Sequence, residues 1–413
     1  MAKDIQDIVV IGGGASGLMA GITAARNGSR VTILEHKDRI GKKILSTGNG
    51  KCNLTNLDQK PEHYRGEHPE FAMNLLKQFG VTETLEFFKG LGIFPKNKNG
   101  YIYPNSEQAA SVLDVLRMEA EHLKIKIICE TEIKGIKKTG AGFCIQAGTG
   151  SYECRRLIVA AGSKAAPVTG SDGSGYKIAA DFGHRIITPV PALVQLRAKE
   201  DFFKSLAGIR TEAAITLFIN GSKTAWETGE LQLTDYGISG IPVFQISRFA
   251  ARGLESGCRV STEIDFMPEV NEHDLTDMLF ARICNCPYKD AEEMMNGLLN
   301  KKLNAVLLRQ AGIPLHAPSD SLKKDEVRKL AEKMKKFTVT IKETNPFANA
   351  QICAGGVDTT ELDDETLESK LVKGLYFSGE IIDIDGTCGG YNLQWAWTSG
   401  YVAGMSSSSK RAL

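Results

Sequence analysis

Three glycines at the spacing Gly12, Gly14 and Gly17 follow the apolar run I-V-V-I at residues 8–11, and Glu35 closes the next apolar run, V-T-I-L-E. That spacing suits a pyrophosphate. Gly12 makes a turn open only to glycine, Gly14 lets the backbone approach the phosphates, and Gly17 lets the following helix pack closely on the strand. The helix beginning at Ala15 and Ser16 aims free N–H groups and its positive dipole end at the same point. Glu35, about 20 residues on, is placed to accept hydrogen bonds from a ribose hydroxyl pair, with His36 beside it. Strand, glycines, amphipathic residues 18–27 and terminal acid stand in register, which predicts a bound adenine dinucleotide.

Two further segments carry site chemistry. Residues 41–56 read G-K-K-I-L-S-T-G-N-G-K-C-N-L-T-N. Small residues there (Ser46, Thr47, Gly48, Gly50) let backbone run along a planar ring or a pyrophosphate. Asn49, Cys52 and Asn53 are candidate ring contacts, although inert packing explains Cys52 equally well. Lys42 and Lys43 either neutralise phosphates or form a solvated pair. Near the C-terminus, Y-F-S-G-E at 376–380, D-I-D-G at 383–386 and G-G-Y-N-L-Q-W-A at 389–396 read as a strand, a loop and a helix start. Gly379, Glu380 and Asp385 join the candidate contacts. Backbone N–H groups of Gly390, Tyr391, Asn392 and Leu393 would meet a flavin O2, where negative charge grows on reduction. Ala161 and Gly162, ending the strand L-I-V-A-A-G, and Ile133 complete the set. A second phosphate fingerprint is absent, so one dinucleotide is held tightly. The C-terminal block argues for FAD. Seven histidines without paired spacing predict no metal site.

These groups need a frame. Helices are predicted at 71–78, 82–91 and 106–123, an Asn-Gly hairpin at 94–104, a strand at 125–129, a β-meander over 132–153 and a parallel-sheet strand at 157–162. Residues 193–265 read as an antiparallel barrel or sandwich, 271–336 as helical, 337–341 as a strand again. Residues 375–377 and 389–405 give a final strand and helix, with Ser406–Ser409 a polar tail. The resulting α/β organisation has a discontinuous dinucleotide domain at 1–190 and 343–413. An inserted β domain occupies 191–268 and 337–342, and a helical subdomain 269–336.

Composition narrows the partners. With 413 residues, 42% hydrophobic and 24% charged, the chain has the make-up of an ordinary soluble protein. A net charge of +1 gives no electrostatic case for nucleic acid or an acidic membrane, and no basic stretch interleaved with aromatics stands out. No apolar run approaches a membrane span. The start M-A-K-D-I-Q-D enters the first strand directly, without a signal peptide. Nine scattered cysteines suit a reduced cytoplasm, and no C-x-x-C dithiol is present, which excludes a flavin disulfide reductase.

The G-G-G-A-S-G start, the G-K-K-x-L-x-T-G-N-G-K-C-N-L-T-N loop, T-D-Y-G-I-S-G at 234–240 and G-T-C-G-G-Y-N-L-Q-W-A together resemble the BaiN-type bacterial flavoproteins. The likeness runs over essentially the whole chain. It implies a discontinuous Rossmann-like FAD-binding domain with an inserted antiparallel β-barrel and a helical subdomain. It also implies NAD(P)H-driven reduction of a conjugated C=C in a small apolar substrate, of which a 3-oxo-4,6-diene bile acid or steroid is the family's named example. Such chemistry needs a proton donor. Tyr391 and Tyr236 are the candidates, each equally explained as a packing aromatic. Met278, Met294, Met295, Leu298 and Leu299 could cover an apolar substrate or simply build a core. The alternatives are a flavin-binding protein with a structural or sensing role and a flavin-dependent RNA modifier, the latter opposed by the near-zero net charge.

Overall fold

The first strand, Gln6–Ile11, is apolar on both faces because it is flanked on both sides. It pairs in parallel with Val31–Leu34 and with the second half of Gly150–Val159. Lys126–Ile128 extends the sheet beyond Val31–Leu34, and Leu375–Phe377 pairs in parallel with Gly150–Val159. This is the computed structural model of the chain, and it describes residues 5–408.

Gly150–Val159 corrects one expectation. The meander's last strand and the strand expected at 157–162 are a single element. Its first half runs antiparallel to Gly142–Ala147, and its second half runs parallel to the first strand. No glycine or proline interrupts residues 151–159, so nothing breaks the chain there.

Contacts divide the chain into two compact units, Met1–Pro189 with Gln351–Leu413, and Val190–Ala350. Within the first, helix Ala15–Arg26 lies against helix Tyr391–Ser408. Glycines permit the approach: a Cβ at Gly400 would sit 2.5 Å from the Ser16 carbonyl oxygen, and one at Gly404 2.5 Å from that of Ala20. Ser406 to Ser408 continue the helix rather than forming the expected tail. The Arg156 guanidinium bonds the Ser407 carbonyl, satisfying a group at the helix end. Ser409 lies outside the described residues.

In the second unit, Leu196–Ala198, Ile209–Ile219, Ser222–Leu233, Gly237–Gly240, Val260–Asp265 and Phe337–Thr344 close a barrel. The expected β pattern over 193–265 is interrupted by a helix, Ile241–Glu255. Gly240 with φ +106° turns the chain, Pro242 occupies the first turn, and Val243, Ile246 and Ala250 bury at helical spacing. The short run V-F-Q-I-S fits either period, which hid the helix. Helices Glu272–Asn285, Lys301–Ala311 and Lys324–Lys335 share a hydrophobic core with the barrel, Leu279, Leu307 and Leu330 clustering with Ile264 and Phe337. Met294 and Met295 are buried in it, and Met278, Leu298 and Leu299 pack against it. Those residues build the core.

Candidate functional site

The fingerprint glycines divide by role. Gly12 has φ +100°, and a Cβ there would meet the Ala160 carbonyl oxygen at 2.4 Å. A Cβ at Gly17 would fall 1.9 Å from the Gly12 carbonyl oxygen, so only glycine lets helix and strand approach. Gly14 differs. A Cβ there has nothing within 4 Å, so its open side faces space that a ligand can enter. Gly14 begins helix Ala15–Arg26 without a side-chain cap and without an acidic residue in the first turn. Free N–H groups and dipole there favour an anion.

Glu35 directly follows the second strand and is 7% exposed. Its Oε2 accepts the Gly13 N–H at 2.8 Å and Oε1 the Lys37 N–H at 2.8 Å. The carboxylate therefore pins the phosphate turn, with lone pairs left for a ribose. His36 Nδ1 lies 3.5 Å from Glu35 Oε1 and its Nε2 3.8 Å from Asp172 Oδ2. Neither lysine of the pair is uncommitted. Lys42 is taken up by Asp38, and Lys43 bonds Glu380 Oε2 at 2.5 Å. Ser163 Oγ donates to that same oxygen at 3.1 Å, so Lys43 and Ser163 fasten the Gly379–Glu380 turn to the N-terminal half. Ala161 and Gly162 follow the central strand, Gly162 with φ +74° beside Ser171. Ile133 starts strand Ile133–Thr139, and nearby Thr131 donates its N–H to the Glu35 carbonyl.

Gly48, Asn49, Gly50 and Cys52 all carry positive φ, between 53° and 82°. The backbone curls tightly there, with the Lys51 and Cys52 N–H groups spent on the Gly48 and Thr47 carbonyls. Burial pushes the Cys52 thiol up to about 12, so it stays an inert thiol at neutral pH. Asn53 is 8% exposed and its Oδ1 has no partner, although a Cβ at Gly390 would lie only 2.9 Å from it. Ser378 Oγ, fully buried beside Gly379, is likewise unpaired. Orphaned buried polar atoms are costly unless a ligand or water completes them. With the open side of Gly14 and the helix ends, they fit a flavin dinucleotide lying between the two ends of the chain.

Helix Tyr391–Ser408 begins at Gly390, φ +101°, also without an acidic residue in its first turn. Asn392 locks this start, its Oδ1 accepting the Gly386 N–H at 2.8 Å and its Nδ2 donating to the Gly386 carbonyl at 2.9 Å. Leu393 packs partly buried on the core. Asp385 pairs in register with Arg65, buried. Gln394, one turn on, accepts from Thr55 Oγ1 and donates to Thr84 Oγ1 and Thr398 Oγ1, a buried staple under the site.

Tyr391 lies in a small polar–aromatic cluster that sequence reading missed. His63 stacks on it with centroids 4.3 Å apart, and Tyr64 meets it edge-on at 5.9 Å. His63 Nε2 is 3.2 Å from Asp58 Oδ2, and Thr387 donates its N–H to the His63 carbonyl at 2.9 Å. Burial, then the Asp58 charge, pushes the Tyr391 phenol up, so it keeps its proton at neutral pH. A lone histidine carries no sequence signal; only the fold joins His63 to Tyr391. Tyr236 belongs to the other unit. There its hydroxyl accepts from Asn345 Nδ2 at 3.1 Å, and the Arg197 guanidinium lies 4.9 Å from its ring centre. Among the described residues no cluster of histidine, cysteine and carboxylate groups could hold a metal, and no helix is long and apolar enough to cross a membrane.

Comparison with known proteins covers nearly the full length. The model for the HI0933-like protein Rossmann domain matches residues 6–406. A 3-dehydro-bile acid delta(4,6)-reductase from Clostridium scindens is 47% identical over 98% of this chain and 99% of its own. A ribosomal RNA dihydrouridine synthase from Haemophilus influenzae is 31% identical over 96% of this chain and 97% of its own. The solved 3-ketosteroid-delta4-(5alpha)-dehydrogenase of Rhodococcus jostii RHA1 is 14% identical, with TM-score 0.47, over 99% of this chain and 98% of that one. With the fingerprint, the returning C-terminal helix and this span of similarity in hand, the chain belongs to the HI0933-like Rossmann family.

Proposed function

We propose that this protein is an FAD-dependent oxidoreductase that reduces a C=C bond conjugated to a carbonyl, with NAD(P)H as the electron source. One observation carries the reading: two helix amino ends, at Gly14–Gly17 and Gly390–Leu393, lie in one unit, with the orphaned Asn53 Oδ1 beside the second and the orphaned Ser378 Oγ in the segment that Ser16 of the first helix bonds. When bound, FAD would take a hydride from NAD(P)H and return it to the electron-poor carbon of the alkene. Gly12, Gly14 and the N–H groups of Ala15 and Ser16 would hold the pyrophosphate, and Glu35 the ribose. The 48–53 backbone, Gly379, Glu380 and the N–H groups of Gly390 to Leu393 would hold the ring. Tyr391, raised in pKa and backed by His63 and Asp58, is the candidate to hand a proton to the neighbouring carbon.

The 47% identity to a bile acid reductase supports a 3-oxo-4,6-diene as the first substrate to try. A second reading has its own support: a relative that makes dihydrouridine spans nearly the whole chain. Uracil, too, presents a C=C conjugated to a carbonyl, so both names describe one reaction type on different molecules. The test is anaerobic. NADH or NADPH should bleach the yellow holoprotein, and a 3-oxo-4,6-diene steroid or a uridine-containing RNA should restore its colour. A holoprotein that neither nucleotide reduces, and that no conjugated carbonyl compound reoxidises, would end the reading.

A further inference from the structure

Residues 94–104, F-P-K-N-K-N-G-Y-I-Y-P, bracket two lysines with aromatics. Strands Pro95–Lys98 and Tyr101–Pro104 pair around Asn99 and Gly100, whose φ values of 52° and 92° make the tight primed turn that Asn-Gly favours. The register places Lys96 opposite Tyr103 and Lys98 opposite Tyr101. Opposed residues share a face, so these four side chains stand together while Ile102 buries on the other side. Lys51, from the 47–53 loop, joins them. Its ammonium and those of Lys96 and Lys98 lie 3.1, 2.8 and 2.7 Å from one carboxylate, that of Glu107.

Three cations on one anion leave two positive charges concentrated at one place. Each lysine side chain stays at least 40% exposed, and Phe94 and Tyr101 are 74% and 41% exposed. Chain-wide neutrality conceals the cluster. Its position ties it to the site. The third strand of this sheet, Thr55–Asn56, pairs with Tyr101–Pro104, and Asn56 Nδ2 donates to the Gly389 carbonyl at 3.0 Å. A Cβ at Gly389 would touch the Tyr101 ring at 3.0 Å, and one at Gly48 the Tyr103 ring at 3.5 Å. The face therefore borders both glycine loops assigned to the flavin.

We propose that the lysine–tyrosine face of this hairpin binds the phosphodiester backbone of a single-stranded RNA and presents one of its bases to the adjoining site. Clustered ammonium groups neutralise phosphates, and exposed rings offer stacking platforms that tolerate any base. Glu107 gathers the three ammoniums in advance and is displaced in part by phosphate. A small apolar enone would use none of this. The inference rests on the proposed reductase only for what happens to the base; binding stands alone.

Fluorescence anisotropy of a labelled uridine-rich single strand, titrated with holoprotein between about 50 and about 200 mM salt, tests it. The wild type should bind with a steep salt dependence. Lys96→Gln/Lys98→Gln should flatten the slope of log K against log salt by about 1.4, at about 0.7 for each single-strand phosphate no longer neutralised. Phe94→Ala should weaken binding about 5- to 100-fold with the slope unchanged, as removal of one stacked base requires. Lys177→Gln, exposed on helix Ser174–Asp181 and outside the hairpin, is the control. Retained flavin absorbance shows that each variant is folded. A wild type that does not bind at low salt, a double variant with the parental slope, or equal binding of heparin with no effect of Phe94→Ala would overturn the proposal. A protein that binds RNA yet holds no flavin would instead remove the reductase reading and leave this surface standing.

Discussion

Replacing Gly14 by alanine separates binding from stability at a single atom. Gly14 has φ −78° and ψ −167°, an extended conformation open to any residue, so alanine adds no backbone strain. Nothing in the protein lies within 4 Å of the added methyl. Stability of the flavin-free variant should therefore match the parent within about 0.5 kcal/mol. The methyl instead occupies the space through which a pyrophosphate must pass to reach the helix end. Relieving an overlap of this size costs about 1–3 kcal/mol, which weakens FAD binding about 5- to 100-fold. Gly17→Ala is the counterpart: its methyl would fall 1.9 Å from the Gly12 carbonyl oxygen, so it should unfold the protein whether or not ligand is present. Quenching of FAD fluorescence on titration with flavin-free protein, beside thermal melts of the same samples, reads both quantities. Parental FAD affinity in Gly14→Ala would refute the assignment of this turn to the phosphates.

Other outcomes follow from neighbouring contacts. Gly400→Ala puts a methyl 2.5 Å from the Ser16 carbonyl oxygen and 2.9 Å from Met19 Cβ, and should cost about 1–3 kcal/mol in denaturant melts. Gly90→Ala, at a helix end with nothing within 4 Å, should be neutral or slightly stabilising. Tyr391→Phe should slow substrate reduction about 100-fold or more while leaving the rate of reduction by NAD(P)H unchanged in stopped flow; loss of both rates would mark Tyr391 as a structural residue. His184 is enclosed between Glu361, 3.0 Å from Nδ1, and Ser369, 2.8 Å from Nε2. Burial lowers its pKa below 6.5, with Glu361 opposing. The unfolded chain then takes up a proton before the folded one does, so stability is complete above about pH 6.5 and falls as pH drops, by at most about 1.4 kcal/mol per pH unit. His184→Gln should remove that slope from melts taken between about pH 7 and pH 5.

The parts of the site legible in the sequence are those whose chemistry is local. Gly12, Gly14 and Gly17 announce a turn because spacing along the chain alone decides which of them needs to lack a side chain. The C-terminal block was legible for the same reason, as a glycine turn feeding a helix. What escaped depends on partners remote in sequence. Lys43 looked available to a phosphate until the fold brought Glu380, 337 positions away, within 2.5 Å. His63 became part of the site only through the ring of Tyr391. Helix Ile241–Glu255 is hidden in the sequence because the four alternating residues F-Q-I-S satisfy two periods, and the barrel around it favours the wrong one.

Net charge is a poor guide to a local partner, and that bears on substrate choice. It is a sum over the whole surface, whereas a polyanion responds to the field within about one Debye length, roughly 8–10 Å. Lys51, Lys96 and Lys98 crowd within bonding distance of one carboxylate on a chain that totals +1. A neutral protein can thus carry a local phosphate grip beside a site for conjugated alkenes. The hydride chemistry asks only for an electron-poor C=C, which a steroid dienone and a uracil both provide. Under the proposed reading, selection between them would come from the surface around the flavin, of which the hairpin contributes lysines and exposed rings. Competition tests which molecule it serves: if the hairpin guides RNA, a uridine-rich strand should inhibit turnover of a steroid dienone in the parent and lose that effect in Lys96→Gln/Lys98→Gln.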